Sequence, residues 1–226
     1  MLPVPLLVVS PHLDDAVFSC GVHIAMHASC TVVTLFAGIP ESSVNPTDWD
    51  HSAGFADGRS AVETRRGEDE QALDALGALP IWLDFLDAQY EREASVDALA
   101  RAVEAIIERT APRSVLMPLG LFHSDHVVAS DALLPRAKQQ GDIAWFAYED
   151  ALYRALSGQV QQRLVVLAQR GLVATPAPLP ESALAASSKR RAVARYESQL
   201  RALDARGISE ADIFNPERVW RLTIQP

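Results

Sequence analysis

The chain has 226 residues, 49% hydrophobic and 22% charged, the balance of a globular protein with a sizeable core. Its formal net charge of −9 argues against a nucleic-acid surface and against an anionic membrane. No apolar run reaches the roughly 18 residues of a transmembrane helix.

The N-terminus "MLPVPLLVVSPH" lacks the basic region and small-residue cleavage site of a signal peptide. Its apolar run is a first strand, buried on both faces. Residues 16–28, apolar and small, suit a helix packed on a sheet. They include Cys20, and with Cys30 it makes the full set of cysteines, read as buried free thiols of a cytoplasmic protein. "TVVTLFA" (31–37) is a second, β-branched strand. Residues 38–60, rich in Gly, Pro, Ser, Asn and Asp, form a long loop of the kind that is either functional or mobile. An amphipathic helix follows and ends at Gly77. "PIWLDFL" is a strand. "SVDALARAVEAIIERTAP" is a helix opened by Ser95 as N-cap and closed before Pro112. "SVLMPLG" is a strand, "HSDHVVASDALLPRAKQQG" a loop entering a helix that stops by Gly141, and "IAWFAYE" a strand.

Beyond residue 150, "VQQRLVVLA" reads as a strand, "ATPAPLPES" as a Pro-rich loop, "ALAASSKRRAVARYESQLRAL" as one helix, and "RVWRLTI" as a terminal strand. Alternating strands and helices at this spacing mean βαβ units. The fold class is α/β, a Rossmann-like, mostly parallel sheet with helices on both faces, in a single domain over residues 1–226. Active residues then gather at the carboxyl ends of the strands.

Two such ends carry chemistry. "VSPHLDD" puts His12, Asp14 and Asp15 just past the first strand, and "LMPLGLFHSDH" puts His123, Asp125 and His126 past the fourth. Imidazole and carboxylate are standard ligands of zinc and similar ions, and a catalytic metal takes about three protein ligands and keeps an open position. His12, Asp15 and His126 form such a set, with Asp14 pointing elsewhere. The competing reading is capping: Asp14 or Asp15 for the first helix, Ser124 or Asp125 for the later one. Capping gives no reason for three histidines at these spots. His23 and His27, on an apolar helix, read as structural, while His51 in the long loop stays open between solvent and pocket.

"SPHLDD" followed by "HSDH" resembles the PIG-L or LmbE-like deacetylases, zinc-dependent enzymes that remove N-acetyl groups from amino sugars. The resemblance continues through "RRGEDEQALDALG", "WLDFLDAQY", "YEDALYR", "KRRAVARYESQL" and "PERVWRL", nearly the whole chain. Leu13 and Ala16 depart from the family's first motif without touching a ligand position. The resemblance implies Zn²⁺ held by His12, Asp15 and His126, with Fe²⁺ or Co²⁺ as substitutes. It implies Asp14 as general base and acid, His123 as a cationic or strong donor to the oxyanion, and Asp125 as the group orienting His123 and raising its pKa. Arg65 and Asp87 are the closest matches to the family's sugar-binding residues. The bland alternative for Arg65 is a solvated charged face with Arg66 and Glu68. Trp49 is a candidate to stack on a sugar.

The partner implied is a small N-acetylated sugar or glycoconjugate, with no nucleic acid and no membrane; a homo-oligomer stays open. Loop 38–60 and segment 148–184 are expected to shape the pocket. Two alternatives remain: a metal-dependent hydrolase of another amide or ester, and a non-enzymatic sugar- or nucleotide-binding domain. The second has little support, because no G-x-G-x-x-G or G-x-x-x-x-G-K follows the first strand. No G-x-S-x-G elbow of a serine hydrolase is present either.

Overall fold

All five residues of strand β1 (Leu6–Ser10) are buried, because helices cover both faces of the sheet it sits in. The computed structural model describes residues 1–41, 44–90, 94–139, 141–178 and 180–225. In chain order the elements are β1, α1 (Asp15–Ala25), β2 (Cys30–Thr34), α2 (Asp48–Ala53), α3 (Gly58–Asp74) and β3 (Leu79–Trp82). Then come α4 (Val96–Thr110), β4 (Ser114–Pro118), α5 (Ser124–Lys138), β5 (Ala144–Tyr148) and α6 (Gln159–Gln169). The chain closes with β6 (Leu172–Pro176), α7 (Ala183–Val193), α8 (Glu197–Ala205), α9 (Ala211–Phe214) and β7 (Val219–Ile224).

The strands form one sheet in the order β3-β2-β1-β4-β5-β7-β6. The first five are parallel, and β7 runs antiparallel to both β5 and β6. Alternate side chains of β1 feed two cores. Leu7 and Val9 join Leu99 and Val103 of α4 and Leu133 of α5, while Leu6 and Val8 join Phe18 and Ile24 of α1 and Leu73 of α3. The expected parallel sheet clad on both faces is therefore present. The strand order reverses at β1, since β2 and β3 build to one side and β4 to the other. The crevice at that reversal, at the carboxyl ends of β1 and β4, is the usual ligand position of an open α/β sheet.

Three elements differ from the sequence reading. Residues 160–168 form helix α6, not a strand, because Val160, Arg163 and Leu167 are buried at helical spacing and pack on the core. The Pro-rich stretch expected as a loop contributes part of β6; Leu179 lies outside the described residues. The single helix expected over 183–203 is broken after Val193. No Gly or Pro breaks it. Instead buried Tyr196 donates to Asp69 Oδ1 at 2.7 Å, and the Glu68 carboxylate caps α8 by accepting from Ser198 N at 2.8 Å. Segment 38–60 holds α2 and the start of α3; residues 42 and 43 lie outside the described residues.

Helix α1 is kinked at Cys20, where φ −142° and ψ 28° leave the helical region. The amides of Val22 and His23 donate instead to the Glu217 carboxylate at 2.8 and 3.1 Å. Glu217 also accepts from Lys189 Nζ at 2.8 Å and meets His23 Nδ1 at 2.8 Å. His23 and His27 are thus structural, as expected; His27 Nδ1 bonds the His23 carbonyl. Removing one partner of a buried ion pair leaves the other charge uncompensated. Glu217→Ala is expected to cost about 3–5 kcal/mol by chemical denaturation. A loss under about 1 kcal/mol would show that Lys189 finds solvent without it.

Candidate metal centre

The turn after β1 is built by Ser10. Its hydroxyl donates to the His12 carbonyl at 2.6 Å and accepts from Ala16 N at 3.0 Å, capping α1. Asp14 occupies the N-cap position, but its side chain makes no capping bond. Asp15 folds back, its Oδ2 accepting from His12 N at 2.9 Å. Leu13 and Ala16, both buried, leave this turn intact.

The second cluster arrives from β4. Gly120 has φ +87°, and a Cβ there would come within 2.7 Å of Ser130 Cβ, so only glycine fits the turn. Phe122, a bulky residue, is also held at positive φ, +58°, at a strain of roughly 1–2 kcal/mol. His123 is the N-cap of α5, its Nδ1 accepting from Asp125 N at 3.3 Å. With Nδ1 accepting, the proton of a neutral His123 ring sits on Nε2.

The two clusters meet at the crevice. Asp15 Oδ2 lies 3.1 Å from His12 Nδ1 and 3.1 Å from His126 Nε2. The donor atoms of His12, Asp15 and His126 all fall within 4.8 Å of one another, a spacing that suits one divalent ion. The outer nitrogen of each imidazole meets a second carboxylate. His12 Nε2 is 3.1 Å from Asp125 Oδ2, and His126 Nδ1 is 2.7 Å from Asp150 Oδ1. Such pairs fix the tautomer that turns the other nitrogen's lone pair inward. Asp150 is itself clamped, Oδ2 accepting from Gly120 N and Leu121 N, both at 3.0 Å. The donor set therefore fits a metal.

Two adjacent acids diverge here. Burial, then the charge of Asp15, pushes the Asp14 carboxyl up to about 7, against the pull of His12, Arg65 and His126. Asp15 is held well below the usual range: burial would raise it, but His126 and His12 outweigh that. For His126 burial works downward, yet Asp15 and Asp150 lift it to about 9.

The Asp125 carboxylate does not orient the His123 ring, although its charge raises the His123 pKa as expected. That carboxylate sits on His12 and accepts from Ala88 N at 3.1 Å, and the Asp125 main chain, not its side chain, bonds His123. The His123 ring is lowered from its ordinary value, by burial first and then by His12 and His126, with Asp125 opposing. Of the two forms expected, cation or strong donor, this direction favours the neutral ring with its Nε2–H as the donor.

A cavity of about 330 Å³ opens above these residues, lined by His12, Asp14, Arg65, Asp87, His123 and Tyr153 among others. Arg65 is buried, 4% exposed, not part of a solvated face. It donates Nη2–H to Asp50 Oδ1 at 2.7 Å, and its buried Nε has no partner. Asp50 also accepts from Tyr90 Oη and from Thr47 N, which makes it the hinge between Arg65 and the capping box of α2. Asp87, tied to Gln89, stands 3.7 Å from His12 Nε2. Trp49 lines the cavity, donates to Gln199 and lies 5.1 Å under Arg206. His51 is exposed. Asp150, Asp50 and Tyr153 carried no role in the sequence reading. Only Asp150 offered a signal, an acid at the carboxyl end of a strand.

The family described as PIG-L, GlcNAc-PI de-N-acetylase, matches residues 7–136, a span that holds both histidine clusters. The chain belongs to the PIG-L family. Among solved structures it is similar to a triple mutant of the deacetylase Orf2 of the teicoplanin biosynthetic pathway. The identity is 29%, over 97% of this chain and 98% of that one, with a TM-score of 0.80. It is also similar to Dbv21, the A40926 pseudoaglycone deacetylase, at 28% identity over 98% of each chain and a TM-score of 0.74. A zinc-inhibited form of Orf2, 24% identical over 97% of this chain and 98% of that one, shares the fold at a TM-score of 0.81. No curated protein sequence matches. No described helix of this PIG-L chain is long and apolar enough to cross a membrane.

Two outcomes follow. Asp150→Asn is expected to weaken metal affinity about 10–100-fold in a chelator competition, and an unchanged affinity would remove Asp150 from the site. The metal-free chain should lose thermal stability as pH rises from about 4 to 9. Asp14 goes from an unfolded value near 3.9 to about 7, and His126 from about 6.5 to about 9, so the folded state holds extra protons across that window. A Tm that climbs steadily over this range in the metal-free chain would contradict these protonation states.

Proposed function

We infer that this chain is a metal-dependent deacetylase acting on an N-acetylated amino sugar carried by a glycoconjugate. The observation that carries this reading is the single oxygen, Asp15 Oδ2, set 3.1 Å from each of two imidazole nitrogens beside an uncapped Asp14 carboxyl. The similar deacetylase of the teicoplanin biosynthetic pathway and the A40926 pseudoaglycone deacetylase support a glycoconjugate substrate.

His12, Asp15 and His126 would hold the ion, and zinc is the proposed occupant; ferrous iron or cobalt satisfy the same donors. When bound, the ion supplies Lewis acidity to the amide carbonyl and lowers the pKa of water. Asp14 faces the cavity with no capping duty. It takes the proton from the attacking water and returns it to the leaving amine, a task suited to a group near neutrality. His123 presents Nε2–H to the carbonyl oxygen as it gains charge. Asp125 positions His12. Arg65, held by Asp50, offers its unpartnered Nε–H to a sugar oxygen, and Asp87 accepts from sugar hydroxyls.

Acetate release from a panel of N-acetylglucosaminides by the metal-loaded protein tests the activity; a fully loaded protein that releases none contradicts it. With metal content measured in parallel, His123→Ala is expected to lose about 10²–10³ in kcat with metal retained. Asp14→Asn should also keep its metal and lose most turnover, and metal loss there would make Asp14 a ligand instead.

A further inference from the structure

Phe122 stands out against the rest of the site. It precedes His123 in the turn that leaves β4, its φ is +58°, and the residue is 63% exposed. Glycine adopts that backbone without strain, as Gly120 does two residues earlier at φ +87°. Neither local conformation nor core packing accounts for a large apolar ring there. Strain of this kind at a site points to a function for the side chain.

The ring rests against a residue that lines the cavity. It lies 5.5 Å from the Tyr153 ring, tilted by 34°, and Tyr153 lines the cavity. Tyr153 in turn stacks on His123 at 6.3 Å and meets His126 edge-on at 5.2 Å. The aromatic surface thus runs outward from the metal-side histidines through Tyr153 to Phe122. The cavity, about 330 Å³, is at the low end for small-ligand sites. It holds a group the size of one amino sugar, and whatever the sugar is attached to must leave across the rim.

We propose that Phe122, with Tyr153, forms an aromatic rim that binds the aglycone of the substrate and selects N-acetylamino sugars linked to an aromatic or other apolar group. This rests on the deacetylase reading and adds the class of conjugate. An apolar ring on that platform buries surface and gains aromatic stacking, while a small alkyl aglycone gains neither.

The test compares phenyl and methyl N-acetyl-β-D-glucosaminide on the metal-loaded protein, by calorimetric binding and by acetate release. The wild type is expected to bind the phenyl glycoside roughly tenfold more tightly. Phe122→Gly should bring that ratio towards one with a Tm no lower than wild type, because the backbone strain is relieved. Phe122→Tyr should keep the ratio. A wild-type ratio near one, or a ratio that survives in Phe122→Gly, overturns the proposal. So does a ratio near one with Phe122→Gly altering sedimentation, which would assign the ring to contact between copies of this chain. Binding is read independently of turnover, so a retained ratio without acetate release would fault the deacetylase reading and leave the rim in place.

Discussion

Two imidazoles press on one carboxylate oxygen, and the rest of the molecule is arranged to allow it. Asp15 Oδ2 stands 3.1 Å from His12 and from His126, which reach it from the turns after β1 and β4. Those strands are neighbours because the sheet order reverses between them. Buried charge is costly unless it is paired, and here the pairing extends outward by one shell. Asp125 meets the far side of His12, and Asp150 meets the far side of His126 and the amides of the Gly120 turn. Each group in the chain of contacts has a partner, so the donor atoms are oriented before any ion arrives.

Adjacent acids on the same turn have opposite fates for the same reason. Asp15 points at two imidazoles and is held ionised. Asp14 points at the cavity, where burial and the charge of Asp15 push it to about 7. A cation shared by His12, Asp15 and His126 favours the ionised form of Asp14 as well, since the ion would be the largest charge nearby. The proposed ligand and the proposed base are thus separated by side-chain direction. The distant wall follows a similar logic: Asp50 holds Arg65, which keeps a buried guanidinium aimed at the cavity in an acidic protein.

Much of the fold was legible where local pattern and tertiary environment agree. Continuous apolar runs gave β1 and β4, and Ser95 capped α4 as its side-chain chemistry requires. Elsewhere long-range contacts override local pattern. Residues 160–168 are rich in Val and Leu, which suits a strand, yet burial at helical spacing makes them α6. The run 183–203 has no breaker of its own, and it breaks because Asp69 and Glu68, over a hundred residues away, capture Tyr196 and Ser198.

The sequence by itself determined that imidazoles and carboxylates stand just past two strand ends, because residue type and strand pattern are local properties. It also determined the two-sided parallel sheet, since continuous apolar strands need cover on both faces. Only the tertiary structure decided who partners whom. It moved the Asp125 carboxylate from His123 to His12, brought in Asp150 from the segment after β5, buried Arg65 against Asp50, and set the Phe122 ring against Tyr153. Partnership depends on the positions of side chains from distant elements, within about 3 Å for a hydrogen bond, and nothing in residue order encodes that distance.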